Sequence, residues 1–519
     1  MPCISCSSMI LFSSGRQPPG WNITFKHALT HEVIYESILQ QTRKGLHERI
    51  GQVMERLYAD RINEFCETLA FHFTRAGSSY KAVKYHLQSG EKATQKYALE
   101  EADRHYEQAF LILENKADKS TLDIQLLVDV LNHWGHVFYL LENNRKLIEL
   151  FKRKEKTVAA AVDKNRQAMF YSWLGLACRE REKLKDAHRY LTTAIRLGEE
   201  SSNRRAVGFA TAWLSFAAAD MGLLELAIEH SSRALAISQE LDSQAIYRES
   251  MYGLAKGHLY RGDWKKTLKV GNDLIANGNE KSDSRALAGG NLFVGAGYLS
   301  IGDLEAAIDA LHQAIEFSPG PTYLLYAKTF LGQCYVSLGK FTEVQGILDE
   351  IISFGEKYGL EAAGEAAKAL SGAIMMLNGK PAQGLKLLSE ITQNWQSIGN
   401  QYRYAVGELS LGKFYQQVVN SKQASNPLRL IKNLGFIIRV VPFARKRAEK
   451  HLNNAVKQAE QMGARMILGQ AYLGLGQLYR AAGDPQKTKD FIARSIRAFE
   501  QCEADNFLKQ AIDALQRQN

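Results

Sequence analysis

The chain has 519 residues, 45% of them hydrophobic and 23% charged, with 9 prolines and a formal net charge of +10. That length is too great for one compact core, and the balance of apolar and charged residues is not that of a disordered chain. No run of about 18 apolar residues is present, so no transmembrane helix is expected, and a charge this thinly spread does not mark a nucleic-acid binder.

Residues 1–21 read as a disordered or non-native leader. Its short apolar run, Met9-Ile10-Leu11-Phe12, has no Lys or Arg ahead of it and no clean small-residue cleavage site behind it, which argues against a secretory signal. Cys3 and Cys6 form a Cys-x-x-Cys pair without a second pair, and Cys66, Cys178, Cys334 and Cys502 are scattered. Free thiols in a reducing cytoplasm are the expectation.

Residues 22–60 follow another pattern: Phe25-Lys26-His27-Ala28-Leu29-Thr30-His31-Glu32-Val33-Ile34-Tyr35-Glu36, then Arg43, Leu46-His47 and Ile50. This segment resembles the end of the winged-helix domain that follows the nucleotide-binding domain in NACHT-like and related signalling ATPases. The resemblance implies a winged-helix remnant, with His27 as the residue that reaches the phosphates of bound ADP where an ATPase domain precedes it. The chain contains no Gly-x-x-x-x-Gly-Lys-Ser/Thr loop. For the chain alone, His27 reads as a structural or surface histidine.

From residue 61 to 519 the sequence repeats. Taking the small or apolar residue at the start of each second helix as anchor gives Leu147, Ala187, Ala227, Thr267 and Ala307, spaced 40 apart, and then Val344, Gly384, Ala448 and Thr488. Twelve before each anchor stands the second member of a Leu-Gly-like pair, as in Leu174-Gly175, Val294-Gly295, Leu331-Gly332 and Leu475-Gly476. Three further on come Phe138, Tyr298, Tyr335, Tyr415 and Tyr479. Five before the anchor, Gly222, Gly262, Gly302, Gly339, Gly379 and Gly483 provide the left-handed residue that ends a first helix. Ala70, Phe73, Gly77 and Ala82, then Gly90, Ala93, Ala102, Tyr106 and Ala109, mark two weaker units.

These positions resemble the tetratricopeptide repeat, whose usual period is about 34 residues. The longer period implies lengthened helices and loops, similar to the sensor arms of large bacterial signal-transduction ATPases. The predicted fold is all-α: a right-handed superhelical solenoid of tetratricopeptide-like helix hairpins, period about 40, with a capping helix around Phe507 to Leu515.

Between Gly412 and Ala448 the spacing of 12 becomes 36, placing an insert at 420–447 inside one repeat. Every charge from Asn426 onward in it is positive: Arg429, Lys432, Arg439, Arg445, Lys446 and Arg447. It either folds back over its own repeats, docks into an acidic partner, or lies on an anionic membrane surface or nucleic acid.

The Phe-Lys-His-Ala-Leu-Thr segment, the long array and the ending Phe499-Glu500-Gln501-Cys502-Glu503-Ala504 together resemble the C-terminal half of bacterial proteins that fuse a class III adenylate or guanylate cyclase, an AAA-type (STAND-type) ATPase and repeats. The resemblance implies a protein-interaction and sensor arm, non-catalytic by itself, with a protein or peptide partner that could be an ATPase or cyclase half. It also leaves open the regulatory portion of a cyclase whose catalytic domains lie upstream, a truncated or split reading frame, and a free-standing scaffold.

No nucleophile elbow, His-Glu-x-x-His or dinucleotide fingerprint occurs, so no catalysis and no cofactor are expected. His133 and His136 share a helix face but two ligands do not close a metal site, and no metal is expected. The candidate binding groove is the inner face of the first helices, where Met169, Phe216, Tyr252, Lys256, Tyr260, Tyr326, Gln333 and Lys413 combine aromatics with a few polar groups. The alternative is that several of them pack between repeats.

Overall fold

The computed structural model describes residues 12–14, 23–25, 28–358, 360–420 and 438–516. Phe12–Ser14 pairs antiparallel with Ile23–Phe25, Ser13 opposite Thr24, and all other regular structure among the described residues is helical. The chain divides into two compact units, residues 1–137 and 138–519.

The first unit holds α1 (Ala28–Ser37), α2 (Gln40–Leu57), α3 (Cys66–Ala76), α4 (Ser79–Gln95), α5 (Leu99–Glu114) and most of α6 (Thr121–Leu140). Its helices meet through small residues: a side chain on Gly51 would run into the Phe73 ring, and one on Gly90 into Tyr106. Histidines join neighbouring helices. His47 Nδ1 and His72 Nδ1 are 2.8 Å apart, and His86 Nδ1 and His105 Nδ1 3.1 Å. Each contact needs one nitrogen to donate and the other to accept, so neither pair can be doubly protonated and keep its bond.

The second unit is a run of antiparallel hairpins. After α7 (Asn144–Ala159) come α8 (Lys164–Glu180) with α9 (Leu184–Glu200), α10 (Arg204–Asp220) with α11 (Leu224–Glu240), α12 (Gln244–Arg261) with α13 (Trp264–Lys281), and α14 (Ser284–Ile301) with α15 (Leu304–Glu316). Then follow α16 (Pro321–Ser337) with α17 (Phe341–Tyr358), α18 (Glu361–Leu377) with α19 (Pro381–Ile398), α20 (Gln401–Asn420) with α21 (Ala444–Met462), α22 (Arg465–Ala481) with α23 (Pro485–Gln501), and the closing α24 (Asp505–Gln516). The expected all-α, tetratricopeptide-like hairpin array is what the chain forms.

The repeat positions explain the hairpin. Leu147, Ala187, Ala227, Thr267 and Ala307 lie in the first turn of the second helices and are fully buried. The glycine of the Leu-Gly pair faces the large residue four positions past the anchor: a side chain on Gly175 would meet Leu191 at 2.6 Å, and one on Gly476 would meet Ile492 at 2.6 Å. Two helix backbones therefore approach at a spot where only glycine fits, and the leucine or isoleucine fills the seam. The chain reverses through positive φ at Gly222, Gly262, Gly302, Gly339, Gly379 and Gly483. In the α6–α7 and α8–α9 hairpins, which lack that glycine, Glu142 (φ 55°) and Glu182 (φ 51°) occupy the same left-handed slot.

The second unit also winds back on itself. The turn ending a first helix meets the start of a first helix about five hairpins further on. Glu142 accepts hydrogen bonds from the Thr322 backbone N–H (3.0 Å) and hydroxyl (2.8 Å). Arg181 pairs with Glu361, Arg465 reaches Asp263 at 2.8 Å, and the Asn506 amide donates to the Ile301 carbonyl at 2.8 Å. The start of α20 serves several turns: Arg403 and Asn400 both donate to Glu182, at 3.1 and 3.2 Å, while Tyr402 stacks on Tyr260 with ring centres 3.4 Å apart. Between these points Ala218, Ala219, Leu224 and Ala227 share a buried cluster with Ala405, Leu409, Leu452 and Met462.

At the end of the unit, α24 covers Leu473, Ile492 and Phe499 with Phe507, Leu508, Ala511 and Leu515.

Candidate functional site

The inner ends of the first helices carry charge where the pattern alone would put alanine or leucine. In α10, Phe216 is followed by three alanines and then Asp220, which is only 5% exposed. Lys256 of α12, one hairpin on, donates to the Asp220 carboxylate at 2.6 Å, and Arg179 of α8, one hairpin back, donates to its other oxygen at 3.2 Å. Arg179 also donates to Glu180 at 2.6 Å. The Phe216 ring lies between the two cations, 4.9 Å from the Arg179 guanidinium and 5.6 Å from the Lys256 ammonium, so both gain a cation–π contact.

Burial would raise the Asp220 carboxyl, but the charges of Lys256, Arg179 and Arg403 outweigh it and hold it below the ordinary range. Burial pulls the Lys256 ammonium down to about 8 against the attraction of Asp220. Lys256 is still mostly protonated at neutral pH, and the cluster is ionic. Tyr260, 5.3 Å under the Lys256 ammonium, is raised well above its ordinary value by burial and by Asp220. Tyr326 is raised to about 12 by burial, with Arg179 and Arg403 opposing. Phe216, Lys256, Tyr260 and Tyr326 thus belong to one neighbourhood.

The other candidates lie elsewhere. Tyr252 joins a second buried group in which Tyr139 donates to Glu249 at 3.0 Å, Arg248 contacts Glu249 at 3.3 Å and Asp283 at 2.8 Å, and Tyr323 packs 5.9 Å from Tyr252. Lys413 donates to the Gln470 side chain and is drawn down to about 8 by burial. Met169 is half-buried on α8, and Gln333 is half-buried on α16, its carbonyl accepting from Ser337.

Two buried polar atoms beside this cluster, Arg179 Nε and Trp213 Nε1, have no hydrogen-bond partner among the described residues. Trp213 stacks on Phe216 (5.2 Å) and meets Tyr139 edge-on (6.0 Å), bridging the two charged groups. Buried donors and acceptors are nearly always paired, so two orphaned donors beside one ionic cluster mark a face equipped to receive further polar groups.

Of the basic insert, Arg429 and Lys432 fall outside the described residues, as does His27. Arg439, Arg445 and Lys446 are exposed, while Arg447 lies over the rings of Tyr415 (5.7 Å) and Phe443 (5.8 Å). The last three occupy the first turn of α21, and Phe443, Lys446, Arg447 and Lys450 line a shallow surface pocket. His133 stacks on Tyr106 and approaches Glu91 at 3.2 Å. Among the described residues no three His, Cys, Asp or Glu side chains converge to hold a metal ion, and no helix is long and apolar enough to cross a membrane. Cys66, Cys178, Cys334 and Cys502 are buried free thiols.

Sequence reasoning missed Asp220, Arg179, Arg403, Glu142 and Glu182. A signal existed for the two glutamates, since they stand where the other hairpins carry glycine, and a bulky residue in a left-handed slot is uncommon. Asp220 was detectable as a lone charge closing an otherwise apolar helix. Arg403 becomes visible only when hairpins far apart in sequence are brought together.

The fold and this face define a tetratricopeptide-like helical array with a polar inner surface. No protein-family model matches the sequence, and no curated protein matches it. Among solved structures the chain is similar to a Rap protein crystallised with competence and sporulation factor (12% identity, 81% of this chain and 98% of that one, TM-score 0.41). It is also similar to NprR in complex with its cognate peptide NprX (14%, 69% and 99%, TM-score 0.45) and to the Cut9–Hcn1 hetero-tetramer of the APC/C (12%, 93% and 95%, TM-score 0.36). Similarities this distant carry no argument about function.

Proposed function

We propose that this chain is a non-catalytic binding arm whose inner face takes a peptide or protein segment and relays that event to a partner. The observation that carries the reading is the pair of orphaned buried donors, Arg179 Nε and Trp213 Nε1, beside the Asp220–Lys256–Arg179 cluster. A peptide main chain offers donors and acceptors at the spacing that such a face lacks, and Phe216, Tyr260 and Tyr326 would flank it. Met169, Tyr252, Gln333 and Lys413, which lie away from this cluster, would be secondary contacts for a longer ligand. In this reading the two turns of the coil part along their polar seam as the ligand enters, and the change in coiling is the signal.

The resemblance of Phe25 to Glu36 and of the array to cyclase–ATPase fusions supports an ATPase or cyclase half as the recipient. The alternative within the same class is that the chain is the regulatory portion of such a cyclase.

Affinity capture with the tagged full chain, followed by reconstitution from purified components, tests the proposal. A defined partner is expected, with affinity reduced at least tenfold by Tyr326→Ala or Trp213→Phe. Failure to recover any partner, together with no ligand-induced rise in Tm, would sink it. Assayed alone, the chain is expected to form no cyclic nucleotide, and measurable turnover would overturn the non-catalytic reading.

A further inference from the structure

A second surface, independent of the inner face, lies on α2. Leu46, Ile50, Val53 and Leu57 follow one another at spacings of four, three and four, and are 43%, 42%, 41% and 67% exposed. Leu39, one heptad ahead of Leu46, is exposed as well. The side of α2 turned toward α3 is different: His47 and Gly51 are buried there, with Gly51 against the Phe73 ring. The helix therefore has a covered row, His47 and Gly51, and one residue away from it an apolar row that is uncovered.

Elsewhere among the described residues of the array the apolar rows are closed by a neighbouring helix, because a hairpin cannot bury its apolar face alone. The closing helix α24 shows how a finished face looks: Ala511 and Ala514 are buried, and Ile512 is the one large apolar side chain there that is exposed, at 38%. The four-three-four spacing is the row that meets a partner helix lying nearly parallel, knobs into holes. Arg49 and Arg56 stand immediately ahead of Ile50 and Leu57, flanking the row. Both are exposed, and among the described residues neither takes part in an ion pair; Arg56 donates only to the Gln52 carbonyl of its own helix.

We propose that the Leu46–Ile50–Val53–Leu57 face of α2 docks one amphipathic helix of a partner protein, apolar along its seam and acidic along its flanks. Flanking positions of paired helices choose partners by charge, and two arginines on the rim call for carboxylates opposite them. A second copy of this chain does not meet that requirement. Antiparallel copies set Arg49 and Arg56 against each other, and parallel copies set them against His47 and Met54.

The probe is a fluorescein-labelled synthetic peptide of three heptads with Leu at the seam positions and Glu on the flanks, titrated with the full chain and followed by polarisation. Saturable binding is expected, with the same peptide carrying Lys on its flanks at least tenfold weaker. The double variant Ile50→Glu, Val53→Glu, checked for unchanged helicity, should lose at least tenfold, while Arg49→Glu, Arg56→Glu should reverse the preference toward the Lys-flanked peptide. Absence of binding, equal affinity for both peptides, or binding indifferent to Ile50→Glu, Val53→Glu would overturn the proposal. So would light scattering that shows a dimer dissociated by that double variant, which would make the occupant a second copy. Binding that emerges only after residues 1–27 are removed would make it the chain's own leader.

Discussion

The two compact units both bury polar groups where helices meet, but with different chemistry. In the first, imidazole-to-imidazole contacts, His47 to His72 and His86 to His105, stand beside ion pairs such as Lys81–Glu55 (2.6 Å) and Lys92–Glu67 (2.8 Å), and all of these join helices close in sequence. In the second, ion pairs and charge-assisted bonds, with a neutral amide bond from Asn506 to Ile301, join residues 180 to 221 positions apart. The difference teaches what each contact can do. A neutral imidazole pair ties neighbours at little desolvation cost and is broken by a proton, whereas a buried ion pair fixes a distant register and resists mild acid.

The sharpest way to break that contrast is to remove an ion. Asp220→Ala leaves Lys256 without its anion and Arg179 held by Glu180 alone, and removing one partner of a buried pair typically costs about 3–5 kcal/mol. Lys256 should then titrate further below its value of about 8. Urea unfolding of the full chain followed by circular dichroism checks the first point. A loss below about 1 kcal/mol, the size of a surface pair, would mean that the inner cluster is wetter than its burial implies.

A proton should separate the units. Burial lowers all four linked histidines: His47 with help from His72 and Arg75, His72 by burial itself, His86 with help from His105 to about 4, and His105 with Glu101 and Glu67 pulling the other way and Arg104 adding to the fall. Tyr35 and Thr74, the remaining polar neighbours, bond to His47 and His86 without charge. Because the folded values lie below the ordinary 6.5, the unfolded chain takes up protons first. Stability is therefore full above about pH 7 and falls as pH drops from 6.5, and His86 alone accounts for about 3 kcal/mol by pH 4. In the second unit His230 and His258 shift the same way, but Glu142 and Glu249, raised by burial, bind protons in the folded state and oppose the loss. Asp220, Asp263 and Asp283, all lowered, keep their contribution until pH falls below about 4. Hydrogen exchange at pH 7 and pH 5 should show residues 40–114 loosening before residues 164–300, and His86→Gln should flatten the difference.

What the sequence revealed of all this follows from range. The hairpins were legible because their rules are local: Gly175 against Leu191, Gly302 at a left-handed turn, Ala307 at a helix start all sit within about twenty residues of their partners. Phe216, Lys256 and Tyr260 could be placed on the inner face by register alone. Asp220 as the centre of their cluster could not, since its meaning depends on cations one hairpin to either side. The winding of the second unit was out of reach, because nothing local to Arg403 or Arg465 says that Glu182 or Asp263 will be opposite. The Leu46–Leu57 row was not read from the sequence, where Leu46 and Ile50 entered only the winged-helix pattern, because its exposure is a property of packing.

The smallest effects distinguish electrostatics from backbone strain at one kind of position. Glu182 and Glu503 both hold left-handed φ of 51°, which costs a residue other than glycine about 1–2 kcal/mol. Their surroundings differ. Glu182 accepts bonds from Arg403 and Asn400 in the seam and is nearly buried, while Glu503 is exposed and pairs with the exposed Lys265. Substituting glycine relieves the strain at both. At Glu182 it also strips a charged acceptor from two donors, Arg403 and Asn400, at about 1.5–3 kcal/mol for each charge-assisted bond, so Glu182→Gly should come out destabilised by at least about 1 kcal/mol, with faster hydrogen exchange at residues 400–405. At Glu503 the lost surface pair is worth under about 1 kcal/mol, so Glu503→Gly should be neutral to stabilised by about 1 kcal/mol. Thermal and urea unfolding of the two variants side by side decides it: opposite signs confirm that the seam is held by charge, and equal gains at both sites would show that Glu182 is there for its backbone alone.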